Sequence, residues 1–413
     1  MLHTMRALIP KPLVRAYHFI LAYGAMLAYG NPSRSLTVIG ITGTHGKSSV
    51  VMLLGQVLGD AGVRVGWFST ATVRDGVRTW MNALKMTMPG RFALQRFLRA
   101  CARNGCTYVI IETSSQGIAQ YRHRGIAYDV VALTNLGEEH LEAHGGFASY
   151  RAAKAALFAH VARGRKARRI GIVPASLDRA EQFLDRRFTA TATFNPRDGA
   201  GYAPAISAFP ENVAVVKVVC AALGIGAADV ERALERITAL PGRLESIVAG
   251  QPFEVIVDYA HTPHALEVVY AALPKPVGKT IHILGGVGGG RDVRKRATMG
   301  AVAAEHANVV LVTNEDPYDD DPRVIIAAVS RGALDGIART GSDTVVEEIL
   351  DRREAFTRAL TLAQPGDRIL ITGKGCEQAI VGPRGKKTPW DDRVVIRELL
   401  QKHYAPPATT GTP

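Results

Sequence analysis

The sequence predicts an α/β fold: a P-loop central domain on a mostly parallel sheet, then a C-terminal Rossmann-like α/β domain. A short apolar helical segment precedes both. Three observations carry this. Short β-branched apolar runs alternate with helical patterns along most of the chain, which implies parallel strands covered by helices. The first run, residues 36–41, breaks into Gly43-Thr44-His45-Gly46-Lys47-Ser48-Ser49 and then into a helical pattern over 50–58. After Pro241-Gly242-Arg243 the alternation restarts, with strands and a glycine-rich stretch of its own.

Taken in order, residues 1–35 form the apolar segment. Arg6, Lys11 and Arg15 precede the run 16–30, which is shorter than the roughly 20 residues a bilayer span needs. Three readings stand open: a helix docked on the body or a partner, an interfacial helix with its basic residues at lipid headgroups and, behind both, an export signal, against which no small-x-small cleavage site stands out. Residues 36–240 form the central domain. Strands are expected at 36–41, 63–68, 108–112 and 129–134, with helices at 92–101 and 149–161. The second domain spans 241–404, with strands at 253–258, 281–284, 309–313 and 368–372, and a glycine turn from Gly285. Residues 405–413 are Pro- and Thr-rich, and disorder is expected there.

Composition narrows the function. The 413 residues carry a net charge of +13, with 47% hydrophobic and 21% charged residues. That suits a globular protein with anionic ligands. No basic run interleaved with aromatics is present, so nucleic acid is not an expected partner. The four cysteines form no C-x-x-C pair, which argues against structural zinc or a disulfide framework and for a reducing cytoplasm.

The chemistry starts at the glycine loop. Strand, glycine turn and helix is the setting in which backbone N–H groups and a helix N-terminus hold phosphate. The motif is the short form G-x-x-G-K-S, because Ile41 stands where the longer form has glycine. Lys47 is expected over the outer phosphates and Ser48 at Mg²⁺. In a parallel sheet, ligands bind beyond the carboxyl ends of strands. Glu112, Asn135 and the loop to His140 fall at such ends, so Glu112 and His140 read as metal ligands. Lys154 would be a cation facing that metal. Unmodified, it should meet phosphate or solvent; carrying a CO₂-derived carbamate, it would be an anion able to hold a second metal. The residues alone leave both readings open.

Taken together, the motifs resemble the Mur ligase family. They are the glycine loop, Glu112-Thr113-Ser114-Ser115, Thr134-Asn135 with His140, Tyr150 with Lys154, Pro241-Gly242-Arg243-Leu244-Glu245, Asp258-Tyr259-Ala260-His261-Thr262-Pro263, the Gly288-to-Arg296 stretch, and Gly373-Lys374-Gly375 with Glu377. The resemblance runs in order over residues 36–400. It implies an ATP-dependent amide ligase: a substrate carboxylate takes the γ-phosphoryl group of ATP to form an acyl phosphate, and an amino acid's amine displaces phosphate. It implies nucleotide contacts from Gly43, Thr44, His45, Gly46, Lys47, Ser48 and Ser49, and from Asn212, Arg243 and Asp258. It implies two Mg²⁺ ions, one held by Ser48 and Glu112, the other by His140 and carbamylated Lys154. The catalytic set is Lys47, Glu112, His140 and Lys154. Thr87, Ser114, Gln120 and Arg122 would hold the carboxylate acceptor. Arg296, Glu315, Asp316, Gly373 and Glu377 would face the amino acid.

The sequence departs from the family in three ways. Only 35 residues precede the first strand, where the family carries a uridine-nucleotide domain of about a hundred residues. Glu315-Asp316-Pro317-Tyr318 replaces the Asp-Asn-Pro-Arg of diaminopimelate-adding members, and Asp319, Asp320 and Asp321 follow, which favours a basic or neutral amino acid; the alternative is a solvated acidic loop that selects nothing. Cys376 replaces a histidine. The expected reaction is amino-acid addition to a muramyl-peptide-type carboxylate for peptidoglycan. A folate, polyamide or lipid-linked acceptor and a non-catalytic nucleotide-binding subunit are the alternatives. A cytoplasmic monomer is expected, with residues 1–30 as a candidate contact to the inner membrane face.

Overall fold

A computed structural model of the chain describes residues 10–137, 144–290 and 293–404. The chain divides into two compact units, Met1–Thr238 and Ala239–Pro413. Among the described residues, the first unit carries an eight-stranded sheet: β1 (Thr37–Thr42), β2 (Val65–Phe68), β3 (Thr72–Arg74), β4 (Thr79–Met81), β5 (Tyr108–Glu112), β6 (Val130–Leu133), β7 (Ile170–Pro174) and β8 (Ala190–Phe194). Their spatial order is β4-β3-β2-β5-β1-β6-β7-β8. All pairs are parallel except the meander β2-β3-β4 at one edge. β1 lies between β5 and β6, and both faces are covered, so it reads as a continuous apolar run rather than an alternating one. The core beneath it joins Val38, Ile111, Leu133, Phe97 and Phe158. This arrangement brings the carboxyl ends of β1, β5 and β6 to one rim.

The helix Lys47–Asp60 starts three residues before the hydrophobic pattern announces it, because its first turn is Lys-Ser-Ser and belongs to the loop chemistry. The helix Lys11–Ala28 docks on the same unit through its small face. Ala22 and Ala25 are buried, and a Cβ on Gly125 would lie 2.8 Å from the Ala22 carbonyl oxygen. Its opposite face leaves Leu13, Tyr17, Ile20 and Leu27 exposed. Among the described residues, no helix is long and apolar enough to cross a membrane.

The second unit has a six-stranded sheet of β9 (Glu245–Ser246), β10 (Glu254–Val257), β11 (Thr280–Val287), β12 (Val309–Asp316), β13 (Val345–Ile349) and β14 (Arg368–Ile371), in the order β13-β12-β11-β14-β10-β9. Only β9 is antiparallel. A hairpin of β15 (Ala379–Val381) and β16 (Lys387–Pro389) follows. The strand period of two sorts its core. Val255, Ile283 and Ile371 feed one face, and Ile256, Leu284 and Leu370 the other.

Two sequence readings are corrected here. The glycine turn does not begin at Gly285: β11 runs on to Val287. Glycine is needed inside the strand, since a Cβ on Gly285 would lie 2.7 Å from the Thr313 carbonyl oxygen and one on Gly286 2.8 Å from Ile325 Cγ2. The acidic stretch also divides: Asp319, Asp320 and Asp321 are exposed, as a solvated loop would be, but Glu315 and Asp316 are not part of it. They are buried residues of β12, which extends to Asp316.

Candidate active site

The glycine loop leaves the carboxyl end of β1 and enters the helix Lys47–Asp60. Gly46 sits at φ +77°, and a Cβ there would lie 2.0 Å from Asn212 Oδ1, so only glycine fits. The Asn212 side chain, on the helix Pro210–Leu223, is buried, and its Oδ1 has no hydrogen-bond partner among the described residues. An orphaned acceptor beside a phosphate loop is a ready contact for a bound donor.

The loop is latched from β6. Asn135 Oδ1 accepts from the backbone N–H groups of Thr44 (3.1 Å) and His45 (2.8 Å). The Thr134 hydroxyl donates to the His45 carbonyl at 2.6 Å. Thr44 Oγ1 accepts from Gly137 N at 2.9 Å and from the Tyr150 hydroxyl at 3.1 Å. Lys47 Nζ donates to the carbonyls of Thr44 (2.7 Å) and Gly43 (3.1 Å), folded back over the loop it would serve.

Glu112 ends β5 and is 1% exposed. Its Oε2 accepts from Ser48 Oγ at 2.9 Å and from Thr70 N at 2.6 Å. Its Oε1 lies 3.1 Å from Thr70 Oγ1, which is 2.9 Å from Thr87 Oγ1. A hydroxyl and a carboxylate in contact are hard oxygen donors, the set that suits Mg²⁺. The donor set therefore fits the ion. Thr70 is the residue the sequence did not single out. The signal available was weak: a Ser-Thr pair directly after the strand 63–68.

Lys154, on the helix Phe147–Ala162, is 1% exposed and meets neither bulk solvent nor open space. Its Nζ donates to the Gly43 carbonyl at 2.5 Å and lies 4.4 Å from the Tyr150 ring centroid. Both lysines thus reach the same carbonyl of the phosphate loop. His144 Nε2 lies 3.0 Å from Ser115 Oγ, and burial, aided by the Lys154 charge, lowers its pKa. His140 lies outside the described residues.

Of the remaining acceptor residues, Ser114 caps the helix Ser115–Ala119 by accepting from Gly117 N at 3.2 Å. Gln120 Oε1 accepts from Arg122 Nε at 3.0 Å. Arg122 also donates to the Met88 carbonyl, and burial lowers its pKa. Thr87 joins the Glu112 network; Gln120 and Arg122 form a separate pair.

In the second unit, Asp258 accepts from the backbone N–H groups of Leu244 (2.8 Å) and Ala260 (2.6 Å). Burial raises its pKa against the pull of Arg243. The Arg243 guanidinium stacks 4.5 Å from the Tyr259 ring centroid. The amino-acid set meets at a lysine given no role from sequence. Lys374 Nζ donates to Asp316 Oδ1 and Glu377 Oε2, each at 2.8 Å. Burial works to lower its pKa, yet Glu377 and Asp316 hold it above the usual lysine value. Glu315 Oε2 is 2.5 Å from where a Cβ on Gly373 would stand and has no hydrogen-bond partner among the described residues. Burial pushes the Glu315 carboxyl up to about 7, with Lys374 opposing. Arg296 donates to the Val287 carbonyl at 2.9 Å and to Asp320 Oδ2 at 3.3 Å.

Comparison with known proteins settles the family. Residues 41–219 match the Mur ligase middle domain, and residues 242–375 match the Mur ligase, glutamate ligase domain. A UDP-N-acetylmuramyl-tripeptide synthetase of Roseiflexus sp. (strain RS-1) is 32% identical over 433 residues, covering 95% of this chain and 84% of the relative. The chain belongs to the Mur ligase family. It is an ATP-dependent amide ligase, and ATP and Mg²⁺ are the family's cofactors. A UDP-N-acetylmuramoyl-L-alanyl-D-glutamate–2,6-diaminopimelate ligase of Corynebacterium efficiens is 33% identical over 431 residues, covering 95% of this chain and 79% of that one. A solved ligase of that same description superposes with a TM-score of 0.56 at 25% identity, over 89% of this chain and 78% of that one. The folylpolyglutamate synthase of Mycobacterium tuberculosis gives a TM-score of 0.67 at 17% identity, over 92% and 95% of the two chains, a likeness of fold.

Proposed function

We propose that this ligase adds a basic or neutral amino acid to a muramyl-peptide-type carboxylate in the building of peptidoglycan precursors. The observation that carries the reading is the hydrogen-bonded series Ser48–Glu112–Thr70–Thr87, which joins the phosphate loop to the acceptor side of the site. The relatives' names supply the acceptor class. The amino-acid preference rests on charge. Glu315, Asp316 and Glu377 surround Lys374, a balance that suits a cationic side chain better than a second carboxylate.

The acceptor carboxylate oxygen attacks the γ-phosphorus and the bond to ADP breaks. The amino-acid nitrogen then attacks the acyl carbon and inorganic phosphate leaves. Carboxylate and polyphosphate repel each other, so charge neutralisation dominates the barrier. Lys47 turns from the Gly43 and Thr44 carbonyls to the outer phosphates. Backbone N–H groups of the loop cradle the inner ones, with Asn135 and Thr134 fixing its shape. Ser48 and Glu112 would hold Mg²⁺, which would offset charge on the phosphates. Thr70 orients Glu112 and Thr87, keeping the acceptor side in register with the metal side.

Lys154 carries the finer proposal: its amine takes up CO₂, forming a carbamate and releasing a proton. What supports this is an amine buried beside the phosphate loop, where an ammonium is costly and an anion could serve a second metal with His140. Lys154→Ala should abolish turnover, and added short carboxylates should restore part of it. No restoration would leave Lys154 as a cation only. A second finer proposal concerns the exposed apolar face of the helix Lys11–Ala28, which would rest on a membrane surface. Replacing Leu13 and Ile20 by serine should reduce vesicle binding while ATP turnover persists; unchanged vesicle binding removes the idea.

The deciding experiment is mass spectrometry of the product from ATP, UDP-muramyl dipeptide and a mixture of amino acids. One adduct of a basic or neutral amino acid is expected. Turnover only with a pteroate and glutamate, or no amino-acid-dependent ADP release with either acceptor, sinks the proposal.

A further inference from the structure

The first unit holds a second feature suited to anions, at the opposite end of its sheet. A cleft of about 610 Å³ is lined by Arg78, Arg96, Arg99 and Arg103, with Asp75 and Tyr29 at its sides. Its position follows from the topology. Asn104, also in its wall, precedes β5, and Asp75 to Arg78 form the turn between β3 and β4. Since Arg74 pairs with Trp67 while Val73 pairs with Phe68, that turn points to the amino end of β2. The phosphate loop lies at the carboxyl ends.

Arg96, Arg99 and Arg103 recur at spacings of three and four on the helix Arg91–Arg103, so they share a face. Four guanidiniums here face one carboxylate. Asp75 is already occupied by the backbone N–H groups of Val77 (3.0 Å) and Arg78 (2.8 Å). Arg99 donates to the Tyr29 carbonyl at 3.1 Å. Among the described residues, none of the four is in an ion pair. Some surface arginines elsewhere are paired, such as Arg353 with Glu398 and Arg358 with Glu347, and others such as Arg163 and Arg331 are not; what marks this cleft is four guanidiniums gathered in one concavity. Asp75, which interacts with the Arg78 charge, offsets only part of this, so the like charges in the concavity repel one another and a polyvalent anion relieves that repulsion.

We infer that this cleft is a second, non-catalytic binding site for a phosphate-bearing anion. Guanidinium forks match phosphate oxygens bidentately, and a local excess of three positive charges suits a diphosphate or a phosphodiester headgroup held with its neighbours. The phosphate could belong to a soluble molecule or to an anionic lipid. The inference stands apart from the ligase reading, since it uses none of the residues placed there.

The test uses the full chain with Lys47→Ala, which silences the phosphate loop, with and without Arg96→Ala and Arg103→Ala. Both arginines are exposed, so the fold should survive, and circular dichroism checks this. Inorganic diphosphate is titrated calorimetrically, and co-sedimentation is measured with vesicles of phosphatidylglycerol or of phosphatidylcholine alone. Diphosphate binding weakened at least tenfold by the arginine pair assigns a soluble ligand. Phosphatidylglycerol-dependent sedimentation weakened at least tenfold by the pair assigns a lipid headgroup. If neither measurement responds to the pair, the inference is overturned.

Discussion

At the residue scale, the site depends on positions where one atom decides the outcome. Gly46→Ala would force a Cβ into Asn212 Oδ1 at a positive φ. It should weaken nucleotide binding at least tenfold in a fluorescent-nucleotide titration while the melting temperature falls only modestly. Glu112→Gln keeps the shape but removes the charge that holds a hard cation. It should lower kcat a hundredfold or more at saturating Mg²⁺; an unchanged kcat would remove Glu112 from the metal site. Glu315 gives a pH signature. Its folded pKa of about 7 lies above its ordinary value of 4.5, so the folded state binds the extra proton between those pH values. Stability should therefore fall as pH rises from about 4.5 to 7 and level off above that. Glu315→Gln should remove this slope and stabilise the chain at pH 8, by up to ~3 kcal/mol. Urea denaturation at pH 5 and pH 8 measures it, and a wild-type slope of the opposite sign contradicts the assignment.

At the scale of elements, buried ion pairs fix how helices meet the second sheet. Arg352, in the first turn of the helix Arg352–Leu362, holds Asp392 of the helix Asp392–Tyr404 through two bonds, at 2.8 and 2.7 Å. It also donates to the Thr372 carbonyl at 2.9 Å, just before Gly373. His282 spans the same region, from the Tyr270 hydroxyl at 2.7 Å to Thr372 Oγ1 at 2.9 Å. Burial, with Arg352 nearby, pushes its pKa down to about 3. It is therefore a neutral structural residue. Arg352→Ala leaves the Asp392 charge buried without its cation, though still bonded by the Trp390 indole N–H at 2.7 Å, at a cost of about 3–5 kcal/mol. Chemical denaturation should report a loss of that size. A loss below about 1 kcal/mol would mean that water or another group reaches Asp392.

At the scale of the whole molecule, each unit has its own core. Phe158 packs against Phe183 at 5.2 Å between ring centroids in the first, and Phe356 against Trp390 at 5.9 Å in the second. Units with separate cores unfold separately unless a ligand couples them. Phe158→Ala removes a buried ring, typically worth 3–5 kcal/mol. Hydrogen exchange should then rise in β1, β5 and β6, while β10, β11 and β14 keep their protection. Simultaneous loss of protection in both units would show a single cooperative fold.

The sequence by itself determined the α/β class, the phosphate loop and the family motifs, because these are local: a strand, a glycine and a lysine in fixed spacing signal through backbone geometry alone. It also brought Glu112 to a strand end beside Ser48. The tertiary structure decided what depends on residues far apart in the chain. Thr70 becomes the link between Glu112 and Thr87 only because β2 pairs with β5. Lys374 becomes the centre of a buried charge cluster only because β12 carries Asp316 to it. Gly285 and Gly286 proved to be strand residues, since what excludes a side chain there is a neighbouring strand and helix. Lys154 is turned from solvent into the loop by the packing of its helix. Such partners carry no fixed spacing, so only folding reveals them.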